Sequence, residues 1–435
     1  MQQADRIVHN IGQLLTCSSP NGPKRGEAMR DVGIIEDGAV AIADGRFVGV
    51  GTSAEILAEF ESVELLDAEG HVVSPGFVDP HTHIVYAGDR LNEFELKIKG
   101  AGYLGILAAG GGIISTVQHT RAATEEKLIE SALKRLDKML ACGTTTCEIK
   151  TGYGLDTETE LKMLRVIGEL SRRHPMMIVP TFLAAHTIPP EFKDNAAGYV
   201  EHVFQDMLPL AWEWFESSDF ASKGIPFYCD IFTERNSFDL DQMRRLLETA
   251  TSLGFSIKAH VDQFTNLGGS KLGIELGAAS IDHLDAISDG EIEQLANSNT
   301  IGIVIPTENF NAGKTQFAPA RRMIDAGCAV ALSTDYNPGS APCPSMPMAM
   351  AIACRYQKLL PSEALNASTI NAAYSIGLGE IHGSIETGKN ADFLVIDATD
   401  FREIAYVFGG NLVTDIFKAG LELAGSSKLK TGSWK

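Results

Sequence analysis

With 435 residues, 44% of them hydrophobic and 21% charged, the chain is too long for one small core and suits a large domain with a smaller companion. Its formal net charge of −20 argues against a nucleic-acid or anionic-membrane surface. An anionic ligand would need a local cation to override that field.

Residues 1–72 read as short strands, beginning without the basic, apolar and small-residue pattern of a secretory signal. AVAIADGRFVGVG (39–51) places two apolar runs around Asp44-Gly45, a hairpin signal, and VELLDAEGHVV (63–73) has the same look. The middle of the chain alternates strand and helix. Apolar or β-branched runs fall at 72–83, 144–150, 177–186, 226–232, 256–262, 280–284, 302–306 and 329–335, eight in all. Helical periodicity separates most of them. In 124–140 the residues Leu128, Ala132, Leu133, Leu136 and Leu140 recur behind Thr124 as N-cap, and 157–172 and 239–250 behave alike. MPMAMAIAC (346–354), the longest apolar run, suits a buried helix and falls short of the roughly 18 residues of a membrane span. GSIETGKNADFLVIDA (383–398) returns to strand-like alternation.

These elements predict an α/β protein. A (β/α)8 barrel covers 73–384, and a small β-sandwich domain is assembled from 1–72 and 385–435. A doubly wound open sheet is the rival. The glycine-rich AAGGGIIST (108–116) is a weak phosphate cradle, with no Lys-Ser/Thr after it. AGKT (312–315) fails as one because Glu308 stands where the first glycine belongs. The seven cysteines are scattered and contain no CxxC pair, which points to a reducing, cytoplasmic setting.

The strongest chemical signal is His81-Thr82-His83. Alternate strand residues share a face, so two imidazoles can grip one metal at the C-terminal end of the first barrel strand, where barrel active sites form. His260 ends the fifth strand, His283 the sixth and Asp335 the eighth. Five metal-type ligands on one rim are a poor accident in a chain with 11 histidines.

This pattern, with PGFVDPHTH and GSIETGKNADFLVIDA, resembles the metal-dependent amidohydrolase superfamily. The segments at 88–121, EIKTGYGLDTETELKMLRV (148–166), TFLAAHTIPPEF (181–192), DQFTNLGG (262–269) and TDYNPGS (334–340) resemble the imidazolonepropionase family within it, over nearly the whole chain. The resemblance implies hydrolysis of the cyclic amide of 4-imidazolone-5-propanoate to N-formimidoyl-L-glutamate by a metal-activated water. It implies one divalent or trivalent metal per chain, zinc or iron, on His81, His83, His260 and Asp335, with His283 beside it. Binuclear superfamily members use a carboxylated lysine at the end of strand four. Here that strand runs into Thr233 and Glu234, and Lys150 ends strand two, so the pattern is mononuclear unless Glu234 bridges. Arg90, Tyr153, His186, Gln263, Asn337, Gly339 and Ser340 are carried over as substrate-contacting positions. A homodimer is implied as well, with no macromolecular ligand.

The residue types suit a ring with a propionate arm: a guanidinium forks onto a carboxylate, and Gln263 orients but cannot exchange protons. Asp335 is therefore expected to carry the proton, with His283 at the oxyanion. The competing reading pairs Arg90 with Glu93 or Glu95 and has Tyr153 only pack. An aminohydrolase of purines or pyrimidines is the nearest rival, and it would want an acid where Gln263 stands. A non-catalytic scaffold would be expected to lose metal ligands. One departure from the family is IPTENFNAGKTQFAP (305–319), where Glu308, Asn309 and Asn311 replace an aromatic-rich stretch.

Overall fold

Eight short apolar runs form one parallel sheet: Phe77–Asp79, Thr144–Lys150, Met177–Ala185, Tyr228–Thr233, Ser256–Val261, Ser280–His283, Ile301–Val304 and Val330–Leu332. They pair in sequence order with every neighbour parallel, which is the barrel order and has no switch point of an open sheet. All seven residues of Thr144–Lys150 are buried, as expected where helices cover one face and the barrel interior the other. The computed structural model describes residues 1–100, 111–235, 237–424 and 430–431. Residues 108–110 of the glycine-rich loop, 101–110 of the 88–121 segment, and 425–429 and 432–435 of the C-terminal segment lie outside the described residues.

The helices form for local reasons visible in sequence. Thr124 caps Glu125–Ala141 through the Lys127 amide, and that helix buries Leu128, Ile129, Ala132, Leu136 and Met139. Asp156 caps Thr157–Arg173, and Asp239 with Gln242 forms a capping box on Leu240–Leu253. Met346–Ile352 is buried along almost its whole length. No helix among the described residues is long and apolar enough to cross a membrane.

Asp79 joins the first strand to the eighth through side chains. Its carboxylate accepts from Ser333 Oγ at 2.6 Å, the Thr334 amide at 3.2 Å and Thr334 Oγ1. Ser333 Oγ also reaches the His81 carbonyl at 2.7 Å, so this seam holds two future site residues, His81 and Asp335, in register. Asp79→Ala orphans these buried donors and is expected to destabilise by about 1.5–3 kcal/mol. A lower midpoint of urea unfolding measures this; an unchanged midpoint would remove Asp79 from the seam.

The two ends of the chain share one nine-stranded mixed sheet. Val72–Pro75 pairs with Phe393–Ile396 antiparallel and with Arg6–Leu15 in parallel. Phe47 and Phe393 stand four strands apart in the sheet order, a span of about 19 Å if the sheet were flat. Their ring centroids are 6.1 Å apart, so the sheet folds over onto itself around Val8, Val40, Phe47, Val73 and Phe393. The turn at Asp44-Gly45, φ 51° and 72°, makes the expected hairpin. The 63–73 stretch does not. Leu65–Asp67 and Val72–Pro75 both run parallel to Arg6–Leu15, interrupted by a turn at Ala68–His71. The apolar spacing there describes one strand with a detour, and Glu69-Gly70 supplies the detour at φ 51° and 79°.

Candidate active site

The 72–83 run, expected as one strand, is divided at Pro75-Gly76 between the two sheets. The barrel strand then ends at Asp79, because Pro80 has no amide to continue the ladder. His81 and His83 therefore lie just beyond the strand, in irregular backbone, and Asp335 lies three residues beyond Leu332. Positive φ values gather on this rim at Asp262 (53°), His283 (82°), Leu284 (67°) and Asp335 (49°). Such strained backbone concentrates where side chains must be aimed at one point.

His81, His83 and His260 are buried and offer ring nitrogens within 4.8 Å of one another. His81 Nε2 is 3.3 Å from His83 Nε2, and Asp335 Oδ1 lies 3.7 and 3.6 Å from these two atoms. The donor set fits a metal ion on two grounds. His260 Nε2 is buried without a hydrogen-bond partner, a costly state unless a further group satisfies it. His81 Nδ1 lies 2.6 Å from Asp282 Oδ2 and donates to it, which turns the Nε2 lone pair toward the cluster. His283 completes the ring of imidazoles, its centroid 5.4 Å from His81 and 5.2 Å from His260.

Beneath this layer is an ionic network that the sequence reading did not find. Lys150 is fully buried, its Nζ 2.7 Å from Glu148 Oε1, 2.8 Å from Asp230 Oδ2 and 3.9 Å from Asp282 Oδ2. Burial alone would lower its pKa, but Asp230, Glu148 and Asp282 outweigh burial and hold it above the usual lysine range. It is an ammonium here. Lys258 Nζ donates to the Pro80 carbonyl at 2.8 Å and lies 4.0 Å from Asp282. Asp230 Oδ2 is 3.0 Å from His260 Nδ1, too misaligned for a hydrogen bond, and Asp230 Oδ1 accepts from the His260 amide at 3.2 Å. The signal was present: Glu148 and Lys150, and Lys258 and His260, are i, i+2 pairs inside strands with no other charged residue, so both members of each share a face.

Above the histidines is a cavity of about 120 Å3 lined by Arg90, Tyr153, His186, Gln263, His283, Asp335, Asn337 and Ser340, among others. Ile113 and Phe232 add apolar walls that were not anticipated. His186 stacks on His83 at 5.0 Å, and burial pushes its pKa down to about 3. Its Nδ1 donates to the Gly152 carbonyl at 3.0 Å, leaving Nε2 as an acceptor. Asn337 Nδ2 donates to the Asp335 carbonyl and Ser340 Oγ, and its Oδ1 accepts from the Gly339 and Ser340 amides, so its amide shapes the loop. Gly339 is needed for space: a Cβ there would lie 2.2 Å from Arg90 Nη1. Arg90 does pair with Glu93, at 2.7 Å from Nε and 2.6 Å from Nη2, while still facing the cavity. Glu234 accepts from the Arg235, Phe264 and Thr265 amides and anchors the loop that carries Gln263.

In the divergent 305–319 segment, Pro306–Asn311 is a short helix. Asn311 donates to the Ser340 carbonyl at 2.7 Å, so the segment reaches the cavity through Ser340. Glu308 gathers with His283 and Asp285, and Lys314 Nζ sits 3.1 Å from both Glu308 oxygens as the cation of that group.

Residues 232–422 match the model of the amidohydrolase family. The imidazolonepropionase of Chloroflexus aggregans is 50% identical over 97% of this chain and 98% of its own. That of Herpetosiphon aurantiacus is 49% identical over 97% of each. Among solved structures, a guanine deaminase from C. acetobutylicum superposes with TM-score 0.71 over 96% of this chain and all of its own, at 14% identity. A zinc-bound adenosine deaminase from Xanthomonas campestris superposes with TM-score 0.69 over 99% of this chain and 95% of its own, at 18% identity. At such identities the deaminases speak for the fold alone. Amidohydrolases are metal-dependent, in keeping with the three-histidine cluster.

Proposed function

The chain belongs to the imidazolonepropionase family, and we propose that it performs that family's hydrolysis, opening the cyclic amide of 4-imidazolone-5-propanoate to N-formimidoyl-L-glutamate. The observation that carries this reading is one cavity lined both by His83 and His260 of the histidine cluster and by Arg90. We assign catalysis to the 73–384 barrel, with 1–72 and 385–435 as the flanking sheet.

His81, His83, His260 and Asp335 would hold one zinc or iron ion, divalent or trivalent. When bound, that ion supplies Lewis acidity, lowering the pKa of water and polarising a carbonyl. The protein does the rest. Arg90 receives the propionate, the cation that a chain of charge −20 needs near an anionic substrate. Tyr153 and the Nε2 acceptor of His186 hold the ring, and Gln263 orients it. Water adds across the amide C–N bond: its oxygen joins the carbonyl carbon while Asp335 takes its proton and returns it to the ring nitrogen as that bond breaks. His283 supports the oxyanion. Asn337, Gly339 and Ser340 shape the wall under Arg90. Gln263 where an aminohydrolase wants an acid disfavours the purine or pyrimidine alternative.

The compartment we assign is the reducing cytoplasm, supported by seven cysteines that are all unpaired. A homodimer is supported by the exposed rings of Tyr356 (50% exposed), Tyr406 (75%) and Phe408 (63%) around residues 353–357. The deciding experiment follows loss of ring absorbance when purified protein of known metal content meets freshly prepared 4-imidazolone-5-propanoate. Rapid loss that stops on chelation is expected. No turnover with one metal per chain would keep the fold and sink the substrate, with the 305–319 segment the first suspect.

A further inference from the structure

We propose that Glu93 is a positioning residue for substrate recognition: it locks the Arg90 guanidinium so that only its outer edge, Nη1 and Nη2, can meet a carboxylate in the cavity. This rests on the reading of Arg90 as the anion-binding residue. Glu93 sits in the helix Leu91–Ile98, three residues after Arg90, and is 4% exposed. Its carboxylate takes Arg90 Nε at 2.7 Å and Nη2 at 2.6 Å, so the side edge of the guanidinium fork is filled from within the chain. Two further donors fix the carboxylate itself: Lys97 Nζ at 2.7 Å, and the Gly112 amide at 2.8 Å. Gly112 is the N-cap of the helix Ile113–Ala122, and Ile113 lines the cavity. One carboxylate thus sets both a charged and an apolar wall. From the other side the guanidinium rests on Gly339, where no Cβ fits. Held on both sides, Arg90 lines the cavity with the outer edge of its guanidinium not taken up by Glu93. Burial would raise the Glu93 pKa, but the bonds from Lys97, Arg90 and Gly112 together hold it below the usual glutamate range.

A fixed fork should discriminate by geometry as well as charge, favouring a planar carboxylate arm over an uncharged amide arm of the same length. The test measures, in the metal-loaded protein, binding of imidazole-4-propionate and imidazole-4-propionamide by calorimetry, together with kcat and KM for 4-imidazolone-5-propanoate. Glu93→Gln keeps an oxygen for the Gly112 amide but loses the charge that holds Arg90. It is expected to raise KM about 10- to 100-fold with kcat within about threefold, and to shrink the carboxylate preference by a similar factor. Glu95→Gln, which removes an exposed carboxylate of the same helix, paired with Lys99, and leaves the Arg90–Glu93 pair in place, is expected to keep both within about threefold. Unchanged KM and carboxylate preference in Glu93→Gln would overturn the proposal. Equal loss in Glu95→Gln would also overturn it, by tracing the effect to the helix. A wild-type protein with no carboxylate preference would overturn the reading of Arg90 and this inference together, a result distinct from the other two.

Discussion

Asp335→Asn is expected to lower kcat by about 10³-fold or more, because in the proposed mechanism Asp335 moves the proton between water and the leaving nitrogen. The geometry makes the change unusually clean. Asp335 is held by its backbone: its amide donates to Ser333 Oγ at 3.0 Å and its carbonyl accepts from Asn337 Nδ2 at 2.7 Å. Neither bond involves the carboxylate, so asparagine inherits the same position at φ 49°, a conformation asparagine tolerates. An amide oxygen can still ligate weakly but accepts no proton at neutral pH. His260→Ala provides the contrast, since it deletes a donor outright and should lower metal content and activity together. Metal analysis beside kcat separates the two. Asp335→Asn with substantial metal and above a tenth of wild-type kcat would shift the proton transfer to another group, with His283, which lines the same cavity, the next candidate.

Much of this architecture was legible in sequence, and the failures have identifiable physical causes. The eight strands could be read because parallel barrel strands are buried on both faces and appear as short runs rich in apolar and β-branched residues. The helices between them could be read because Thr124, Asp156 and Asp239 mark their starts. Picking out His81, His83, His260 and Asp335 as candidates needed the rule that barrel chemistry collects at strand C-termini, and the structure brings the four together. The misreadings were of pairing and depth. Nothing in 63–73 tells whether its two apolar runs face each other or share a third strand, because that depends on Arg6–Leu15, far away in sequence. The 72–83 run looks continuous although it changes sheets at Pro75-Gly76. Glu148, Asp230, Lys258 and Asp282 were passed over because a charge inside an apolar strand has meaning only once the partner strands are known. The spacing of Arg90 and Glu93 makes them partners in sequence; the structure adds that Arg90 is so paired and still lines the cavity.

The largest effect on stability is expected from that hidden layer. Lys150→Met would leave Glu148, Asp230 and Asp282 facing Lys258 alone, three carboxylates against one ammonium in a region with no solvent access. A buried pair broken from one side typically costs about 3–5 kcal/mol, since the remaining charge keeps its desolvation penalty and loses its partner. The fall should appear as a lower midpoint of urea unfolding. The consequence should also reach upward. Asp282 holds the His81 ring through Nδ1, and Asp230 touches both the ring and the amide of His260. With Lys150 gone, the two carboxylates repel and the rings they support lose their common aim. Retention of metal against a chelator should then weaken by about 10- to 100-fold, the usual scale for losing the support behind a ligating histidine. Removing one negative charge as well, in Lys150→Met with Glu148→Gln, should restore part of the stability, because Glu148 touches neither histidine. If the single variant unfolds at the wild-type midpoint and keeps its metal, the network does not orient the site. If the double variant is no more stable than the single, the penalty comes from lost packing of the lysine stem and not from unbalanced charge.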